Sequence, residues 1–335
     1  MGEMKVLITG GAGYIGSTVG LACRDKGWDV VVVDDLSTGR REFAEGTSFY
    51  EGDIADHALI ARVFEEHPDI AATVHCAAKI VVPESVSDPI GYYRNNVSKT
   101  IELLDALRRA GCTRLLFSSS ASMYEPEPDL TVSESSALDP QSPYAASKML
   151  CERIMADVAA ATALRTLSLR YFNPVGGDPD LRTGLQNPKP SHALGKLVDA
   201  YTYGDVFTIT GVDWATRDGS AIRDYIHVWD LAKAHVAALE HFDEVCTAEQ
   251  PYAVLNIGTG TGSTVRELVA AFTEVVGEGN LKVVEGPPRP GDVIGCYTTS
   301  GRAEQVLGWK AELSIADAIR TALQWAEIRP DRLGA

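Results

Sequence analysis

The chain has 335 residues and a formal net charge of −16, and so negative a charge disfavours nucleic acid as a partner because it repels phosphate backbones. Hydrophobic residues make up 45% of the chain and charged residues 23%, as in globular proteins, and no apolar run approaches the length of a membrane span. The amino terminus enters an apparent strand directly, without a basic segment or a cleavage site, so we expect a cytoplasmic protein without a membrane anchor.

The first half of the chain alternates short β-branched runs with longer helical stretches, which predicts a doubly wound α/β fold around a parallel sheet. The predicted buried strands are Lys5 to Thr9, Asp29 to Asp34, Ala72 to Ala77, Arg114 to Ser120 and Leu164 to Phe172. After residue 173 the sequence becomes rich in Gly, Pro and Asp, and shorter mixed elements follow. We therefore predict a Rossmann-like domain over residues 1–173 and a smaller mixed α/β lobe over residues 174–335, some segments of which return to the first domain.

A glycine-rich loop, TGGAGYIGS, lies directly between the first predicted strand and the first helix. Its glycines at 10, 13 and 16 allow a tight turn and a close approach of backbone amides to a pyrophosphate. Asp34 ends the second strand, where its carboxylate can bind an adenosine ribose and would repel a 2′-phosphate. The pattern therefore predicts NAD rather than NADP. Asp53 and Ile54 follow a third strand, where they can hold the edge and the face of the adenine.

Two further runs, FSSSASMYEP and SPYAASK, carry residues suited to proton transfer. Tyr144 and Lys148 are one helical turn apart, so we expect the ammonium to favour the phenolate by lowering a phenol pKa that is ordinarily about 10. Ser120 ends a neighbouring strand and can share a substrate hydroxyl with the phenol. Together with the dinucleotide loop, this set predicts hydride transfer at an alcohol carbon, with Tyr144 as base and acid.

With these residues the chain resembles the extended short-chain dehydrogenase/reductase superfamily, and in particular the UDP-glucose 4-epimerase family. Over nearly the whole chain it follows that family's order of motifs, which here read GGAGYIGS, EGDI, FSSSASMY, PQSPYAASK, LRYFNPVG, IRDYIHV and RPGDV. The resemblance implies reversible epimerisation at C4 of UDP-glucose and UDP-galactose, through a transient 4-keto sugar and tightly retained NAD. It also implies a homodimer, in which the outer faces of two long helices meet their copies.

The resemblance further implies a role for each matched residue. The catalytic residues that it implies are Ser120, Tyr144 and Lys148. The NAD-binding residues that it implies are Gly10, Gly13, Tyr14, Ile15, Gly16, Asp34, Asp53, Ile54, Asn96, Tyr144 and Lys148. The UDP-sugar-binding residues that it implies are Ser120, Tyr144, Asn173, Arg223, Arg289, Asp292 and Cys296. Cys296 stands where some members carry a larger tyrosine, so we also expect UDP-N-acetylglucosamine and UDP-N-acetylgalactosamine to be substrates.

The sequence departs from the family pattern in three places. Lys79 comes one position early, Glu125 replaces a common glycine, and the run SHALGK replaces a motif that contacts uridine, although His192 or Ser191 can substitute. The contacts of these segments therefore stay open. A second glycine-rich run, GTGTGST, lacks the lysine of a phosphate-binding P-loop, and we expect a helix capped by Ser263 or Thr264 instead.

Three alternative functions remain: a 4,6-dehydratase, a UDP-glucuronate epimerase and a non-catalytic NAD-sensing protein. Ala121 follows Ser120 where a dehydratase needs a carboxylate, and an intact catalytic set disfavours a sensor. The six cysteines show no Cys-x-x-Cys spacing and the seven histidines no metal-binding pattern, so we expect neither disulfides nor a bound metal.

Overall fold

The structure is a computed structural model that describes residues 4–288, 292–299 and 301–334. Its strands are β1 Lys5–Thr9, β2 Asp29–Asp34, β3 Ser48–Glu51, β4 Ile70–His75, β5 Arg114–Ser120, β6 Thr131–Val132, β7 Arg165–Tyr171, β8 Asn173–Val175, β9 Val206–Thr210, β10 Ile222–His227, β11 Tyr252–Ile257, β12 Gly262–Thr264, β13 Lys282–Gly286 and β14 Tyr297–Thr298.

The helices are α1 Tyr14–Asp25, α2 His57–Glu66, α3 Val82–Ser87, α4 Pro89–Tyr93, α5 Lys99–Arg109, α6 Pro143–Ala161, α7 Ala193–Tyr203, α8 Val228–Glu240, α9 Phe242–Val245, α10 Val265–Val276, α11 Arg302–Leu307 and α12 Ile315–Leu333. A π-helical stretch, Arg94–Ser98, joins α4 to α5. No helix among the described residues combines the length with the apolar composition that spanning a bilayer requires.

Seven strands form the central sheet, in the order β11-β7-β5-β4-β1-β2-β3, and every neighbouring pair is parallel. The strands are rich in β-branched residues because both faces of the sheet are buried, and in β2 only the first residue is exposed. The predicted doubly wound fold is confirmed, although β4 begins at Ile70, two residues before the predicted start.

Helices cover both faces of this sheet. Side chains of α1 and α8 form the apolar core on one face, and side chains of α2, α5 and α6 form the core on the other. The strand order reverses between β1 and β4. In an open parallel sheet, ligands bind at such a reversal, beyond the carboxyl ends of the strands.

The second half of the chain builds most of a smaller lobe around three short sheets, β12-β10-β8, β13-β9 and β14-β6, to which the first half contributes β6. Its own apolar core lies between α7, α10 and α12. Two later elements, α8 and β11, belong instead to the core of the large sheet. The domain boundary at residue 173 stays a prediction.

Candidate active site

The turn between β1 and α1 is too tight for side chains. Gly10 has a left-handed φ of 75°, and a Cβ atom there would lie 2.6 Å from the amide nitrogen of Ala77. A Cβ atom on Gly16 would lie 2.2 Å from the carbonyl oxygen of Gly10. Gly13 caps α1 without a side-chain hydrogen bond, so the first amides of the helix point toward the crevice between β1 and β4. The loop therefore fits a pyrophosphate group.

Asp34 lies at the end of β2, beside the glycine loop. One carboxylate oxygen accepts a hydrogen bond from the Ala12 amide at 3.0 Å, and the other accepts one from the Leu36 amide at 2.8 Å. Burial raises the pKa of Asp34, and the two amide bonds counteract part of this effect. The carboxylate thus lies at the carboxyl end of β2, where a dinucleotide-binding fold holds a ribose.

The other predicted adenosine residues have partners within the protein. Asp53 forms an ion pair with Lys99, whose ammonium is 2.7 Å from a carboxylate oxygen. Burial alone would raise the pKa of Asp53, but the hydrogen bonds from Lys99 and the Ala55 amide and the charge of Lys99 together outweigh it, so the pKa is lowered. Ile54 is buried in the core against α2 and α5. Tyr14 and Ile15 begin α1, and the Tyr14 hydroxyl donates to the carbonyl of Gly176 at 2.5 Å.

The side chain of Asn96 is bonded within the protein, and its predicted contact with the cofactor stays a prediction. Its side chain is buried, and its amide oxygen accepts from the Lys79 amide at 2.8 Å. Its amide nitrogen donates to the Lys79 carbonyl at 2.9 Å and to the Ser147 hydroxyl at 3.0 Å. Asn96 therefore fixes the loop that follows β4, because both of its polar atoms are bonded to protein groups.

The catalytic candidates converge at the carboxyl end of β5. Tyr144 and Lys148 lie on one buried face of α6, and Tyr144 lies beside Ser120, the last residue of the strand, whose hydroxyl donates to the Ser122 hydroxyl at 2.9 Å. The Lys148 ammonium donates to the Ser118 carbonyl at 2.8 Å. Three residues predicted from the sequence are thus brought together at the crevice where the cofactor fits.

The electrostatics of Tyr144 differ from the prediction. Its pKa is raised, because burial disfavours the phenolate and the neighbouring Ser120 offsets this effect only in part. Burial also lowers the pKa of Lys148. The ammonium points to the Ser118 carbonyl and lies 4.7 Å from the centre of the Phe117 ring. In this structure the serine therefore favours the phenolate more than the lysine does.

Four predicted substrate residues lie on neighbouring strands and loops of the smaller lobe. Asn173 begins β8 and is paired in register with Tyr225 of β10. Arg223, on β10, donates to the carbonyls of Val293 and Ile294, each at 3.0 Å. The guanidinium thereby holds the segment 292–299, which carries Asp292 and Cys296. Arg289 lies outside the described residues.

Cys296 packs next to the end of β5. It belongs to an apolar cluster with Ala121, Tyr124, Val132 and Phe172. Ala121 directly follows Ser120, so this cluster forms a wall beside the catalytic strand end. Burial raises the pKa of the Cys296 thiol to about 11. The neutral thiol is therefore a small apolar part of the wall.

Comparisons with known proteins assign the chain to a family. The family model described as NAD dependent epimerase/dehydratase family matches residues 6–258. The chain belongs to this family. It is 41% identical over 324 residues to a UDP-glucose 4-epimerase of Azospirillum brasilense, covering 96% of this chain and 91% of the relative. It is 39% identical over 330 residues to one of Rhizobium leguminosarum bv. trifolii, covering 97% and 98%.

Solved structures of similar proteins agree over the full length. A UDP-glucose-4-epimerase from Stenotrophomonas maltophila, with bound NAD and formylated UDP-arabinopyranose, superposes with a TM-score of 0.91 at 34% identity, covering 98% of this chain and 99% of that one. A UDP-Glc/GlcNAc 4-epimerase from Campylobacter jejuni has a TM-score of 0.80 at 33% identity, covering 97% and 99%.

A buried polar network that the sequence motifs did not predict lies behind the epimerase site. Glu152 of α6 and Arg170 of β7 form an ion pair that is almost fully buried, and Arg170 also donates to the Tyr124 hydroxyl at 2.8 Å. The signals were present: Glu152 continues the spacing of Tyr144 and Lys148 on one helix face, and Arg170 is a charged residue in a buried strand.

Other parts of this epimerase-family chain are structural. Asp224 accepts hydrogen bonds from the amides of Thr259 and Gly260, so the glycine-rich run after β11 wraps around a carboxylate. Thr264 caps α10 in a capping box with Glu267, which confirms the predicted cap. Among the described residues, no three His, Cys, Asp or Glu side chains form a group able to hold a metal ion.

The residues at the three departures from the family pattern either form contacts within the protein or lie exposed on its surface. The Lys79 ammonium pairs with Glu84 at 3.4 Å, and Glu125 is exposed. His192 caps α7 by accepting from the Gly195 amide, and Ser191 before it is exposed. Whether Ser191 or His192 contacts uridine stays a prediction.

Proposed function

We propose that this protein interconverts the C4 epimers of UDP-hexoses, UDP-glucose and UDP-galactose, through a transient 4-keto sugar. The observation that carries the proposal is the meeting of Tyr144, Ser120 and Lys148 at the carboxyl end of β5, beside the glycine loop and Asp34. Membership of the NAD dependent epimerase/dehydratase family and full-length similarity to UDP-glucose 4-epimerases support it.

The cofactor is NAD, which when bound accepts a hydride from C4 and returns it to the opposite face. The amides at the start of α1 hold its pyrophosphate, and Asp34 holds the adenosine ribose. The residues fit this group, because glycine at positions 10 and 16 permits the tight turn that brings backbone amides close to a pyrophosphate. A Cβ atom at Gly10 or Gly16 would collide with backbone atoms. The negative charge of Asp34 at this position disfavours a 2′-phosphate.

The side chains of this protein move the proton. Tyr144 takes the proton of the sugar 4-hydroxyl and later returns it to the keto oxygen. Ser120, beside Tyr144, orients that sugar oxygen and stabilises the phenolate. Lys148 contributes a buried positive charge on the same helix face. No residue is consumed, so the protein ends each cycle as it began.

The diphosphate and the sugar need to be held differently. Asn173 and Arg223 lie together on the small sheet, and we propose that they hold the UDP group with Asp292 and Arg289. An arginine suits a diphosphate because its planar guanidinium donates two parallel hydrogen bonds. The apolar wall around Cys296 makes few directional contacts, which leaves a keto sugar free to turn over.

We further propose that N-acetylated UDP-hexoses are substrates. Cys296 is one of the smaller side chains of the apolar wall beside the catalytic strand end. A cysteine is several heavy atoms smaller than a tyrosine and leaves room for an acetamido group. The similar Campylobacter jejuni protein is a UDP-Glc/GlcNAc 4-epimerase.

The assembly that we propose is a cytoplasmic homodimer. Several apolar side chains on the outer surfaces of α4, α5 and α6 are exposed, with exposed fractions of 62% for Ile90, 44% for Ile101 and 40% for Leu150. Leu104 and Leu107 on the inner side of α5 are buried against the sheet. Association of two copies through the outer surfaces would remove this apolar area from water.

Incubating the purified protein with UDP-galactose and identifying the product tests the proposal. A 4-epimerase yields UDP-glucose, and a dehydratase yields a 4-keto-6-deoxy sugar. A UDP-glucuronate epimerase turns over only the uronic sugar, and a sensor leaves all of them unchanged. The absence of UDP-glucose from the product mixture would rule out the proposed function.

A further inference from the structure

The last three residues of β5 each contact one residue of α6, and the three helix residues are spaced by four. The pairs are Ser120 with Tyr144, Ser118 with Lys148, and Ser119 with Glu152. The Ser119 hydroxyl donates to a Glu152 carboxylate oxygen at 2.5 Å. Glu152 thus ties the strand end to the helix one turn beyond the catalytic lysine.

Glu152 is held in turn by a buried arginine. The Nε atom of Arg170 donates to the two carboxylate oxygens at 2.9 and 3.1 Å, and Nη2 also donates to the carboxylate. The Nη1 atom donates to the hydroxyl of Tyr124, which itself donates to Asn256 at 2.7 Å. Glu152, Arg170 and Tyr124 are 4%, 6% and 5% exposed, so water does not screen these contacts.

We propose that Glu152, Arg170 and Tyr124 are positioning residues that hold Ser120 beside Tyr144. With Ser119 they form what we call the Glu152 relay. Buried ion pairs contribute little net stability, because the loss of hydration offsets the attraction. Their directional bonds do fix geometry, and here they join the strand that carries Ser120 to the helix that carries Tyr144.

The relay acts on chemistry through one contact. The Ser120 hydroxyl beside Tyr144 lowers the pKa of the phenol against the effect of burial, and so favours the phenolate that accepts the substrate proton. If β5 shifts relative to α6, this contact weakens and the phenolate forms only at higher pH. Loss of the relay should therefore move the acidic limb of the pH profile upward, which a change in stability alone would not do.

The test uses Tyr124→Phe, which keeps the ring in the apolar wall, and Glu152→Gln, which keeps the shape of the side chain. We expect kcat to fall by roughly ten- to hundredfold, as for a small misplacement of reacting groups, with KM changed less than about twofold. We expect the acidic limb of kcat/KM to move to higher pH, and the NAD content of the purified protein to stay at the wild-type level.

Tyr252→Phe is the matched control. The Tyr252 hydroxyl donates to the same Glu152 carboxylate at 3.1 Å, but it belongs to β11 and touches neither Ser119 nor Tyr124 in the relay. It should lower the melting temperature without moving the acidic limb. If Tyr124→Phe lowers only the melting temperature, as this control does, the relay is structural and the proposal is wrong. Should Glu152→Gln fail to fold, Ser119→Ala replaces it with the same expected pH shift.

This inference rests on the proposed function, and the two fail in different ways. Wild-type protein that does not epimerise UDP-galactose would overturn the proposed function. Wild-type protein that epimerises, together with relay variants whose pH profile matches wild type, would overturn only the relay.

Discussion

The ammonium of Lys148 lies 2.8 Å from the backbone carbonyl oxygen of Ser118, two residues before Ser120, the serine beside Tyr144. Burial lowers the pKa of this lysine, and a carbonyl partner compensates part of the lost hydration. The contact therefore anchors α6 to β5, and it holds the two catalytic elements in one frame before any substrate arrives.

Removing the proposed proton acceptor should nearly abolish turnover. Tyr144→Phe deletes only the hydroxyl, so we expect kcat for UDP-galactose to fall at least about a hundredfold, the low end for loss of general acid–base catalysis. The buried ring keeps its packing. Steady-state kinetics measure the effect, and the NAD content of the purified variant should match wild type. Near-normal turnover would remove Tyr144 from the mechanism.

Asp34 should select the cofactor. We expect the denatured protein to release NAD or NADH, because the carboxylate at the end of β2 repels a 2′-phosphate. Asp34→Asn keeps one acceptor oxygen and removes the charge. It should weaken the discrimination between the two cofactors by about tenfold, the effect of roughly 1.4 kcal/mol of lost repulsion. Chromatography of the released nucleotide is the measurement, and NADP in the wild-type extract would contradict the prediction.

The size of residue 296 should set the range of sugars. Cys296→Tyr places a bulky ring in the wall beside Ala121 and Phe172, so an acetamido group should no longer fit. We expect kcat/KM for the N-acetylated pair to fall by roughly a hundredfold while the value for UDP-galactose changes little.

Cys296→Ser, which keeps the small size, is the control for that substitution and should preserve both activities. The ratio of the two specificity constants is the decisive quantity, because a steric wall affects one substrate only. Equal losses on both substrates, or a wild type inactive on the N-acetylated pair, would place the gate elsewhere.

The outer surfaces of α5 and α6 should carry a dimer interface. Light scattering at micromolar concentration should give twice the chain mass of 36.0 kDa. Ile101→Asp or Leu150→Asp should yield monomers, because a charge would be buried in an apolar contact. Val206→Asp, at a valine of β9 that is 50% exposed in the smaller lobe, is the control and should stay dimeric. A monomeric wild type would disprove the assembly.

The protein should lose stability in mild acid through its buried histidines. The Nδ1 atom of His235 bonds to the Leu231 carbonyl at 2.9 Å, so it carries the proton, and Nε2 accepts from the Ser118 hydroxyl at 3.0 Å. Burial lowers the pKa of His235 to about 4, whereas the unfolded value is about 6.5.

Between these two pKa values the unfolded chain binds a proton at this site that the folded chain does not. The free energy of unfolding should therefore fall as pH drops below about 6.5, by roughly 1.4 kcal/mol per pH unit for each such histidine. His235→Gln should reduce that slope by about 1.4 kcal/mol per pH unit, the contribution of one bound proton. Urea unfolding at several pH values measures the slope. Identical slopes for the variant and wild type would refute the assignment.

Local sequence determined the parts of this protein that depend on neighbouring residues. The β-branched run of β2 predicted a buried strand, and the glycine spacing predicted the turn before α1, because both follow from the conformations of adjacent residues. The spacing of Tyr144 and Lys148 placed them on one helix face for the same reason. The order of motifs in the chain then indicated the family.

The tertiary structure alone decided which groups those side chains meet. Lys148 bonds to a carbonyl thirty residues earlier, and Asn96 binds the backbone of Lys79. Glu152 and Arg170 find each other across α6 and β7. Sequence spacing does not specify such partners, because they depend on how strands and helices pack. Burial then sets the pKa of Tyr144, and burial is a property of the folded chain.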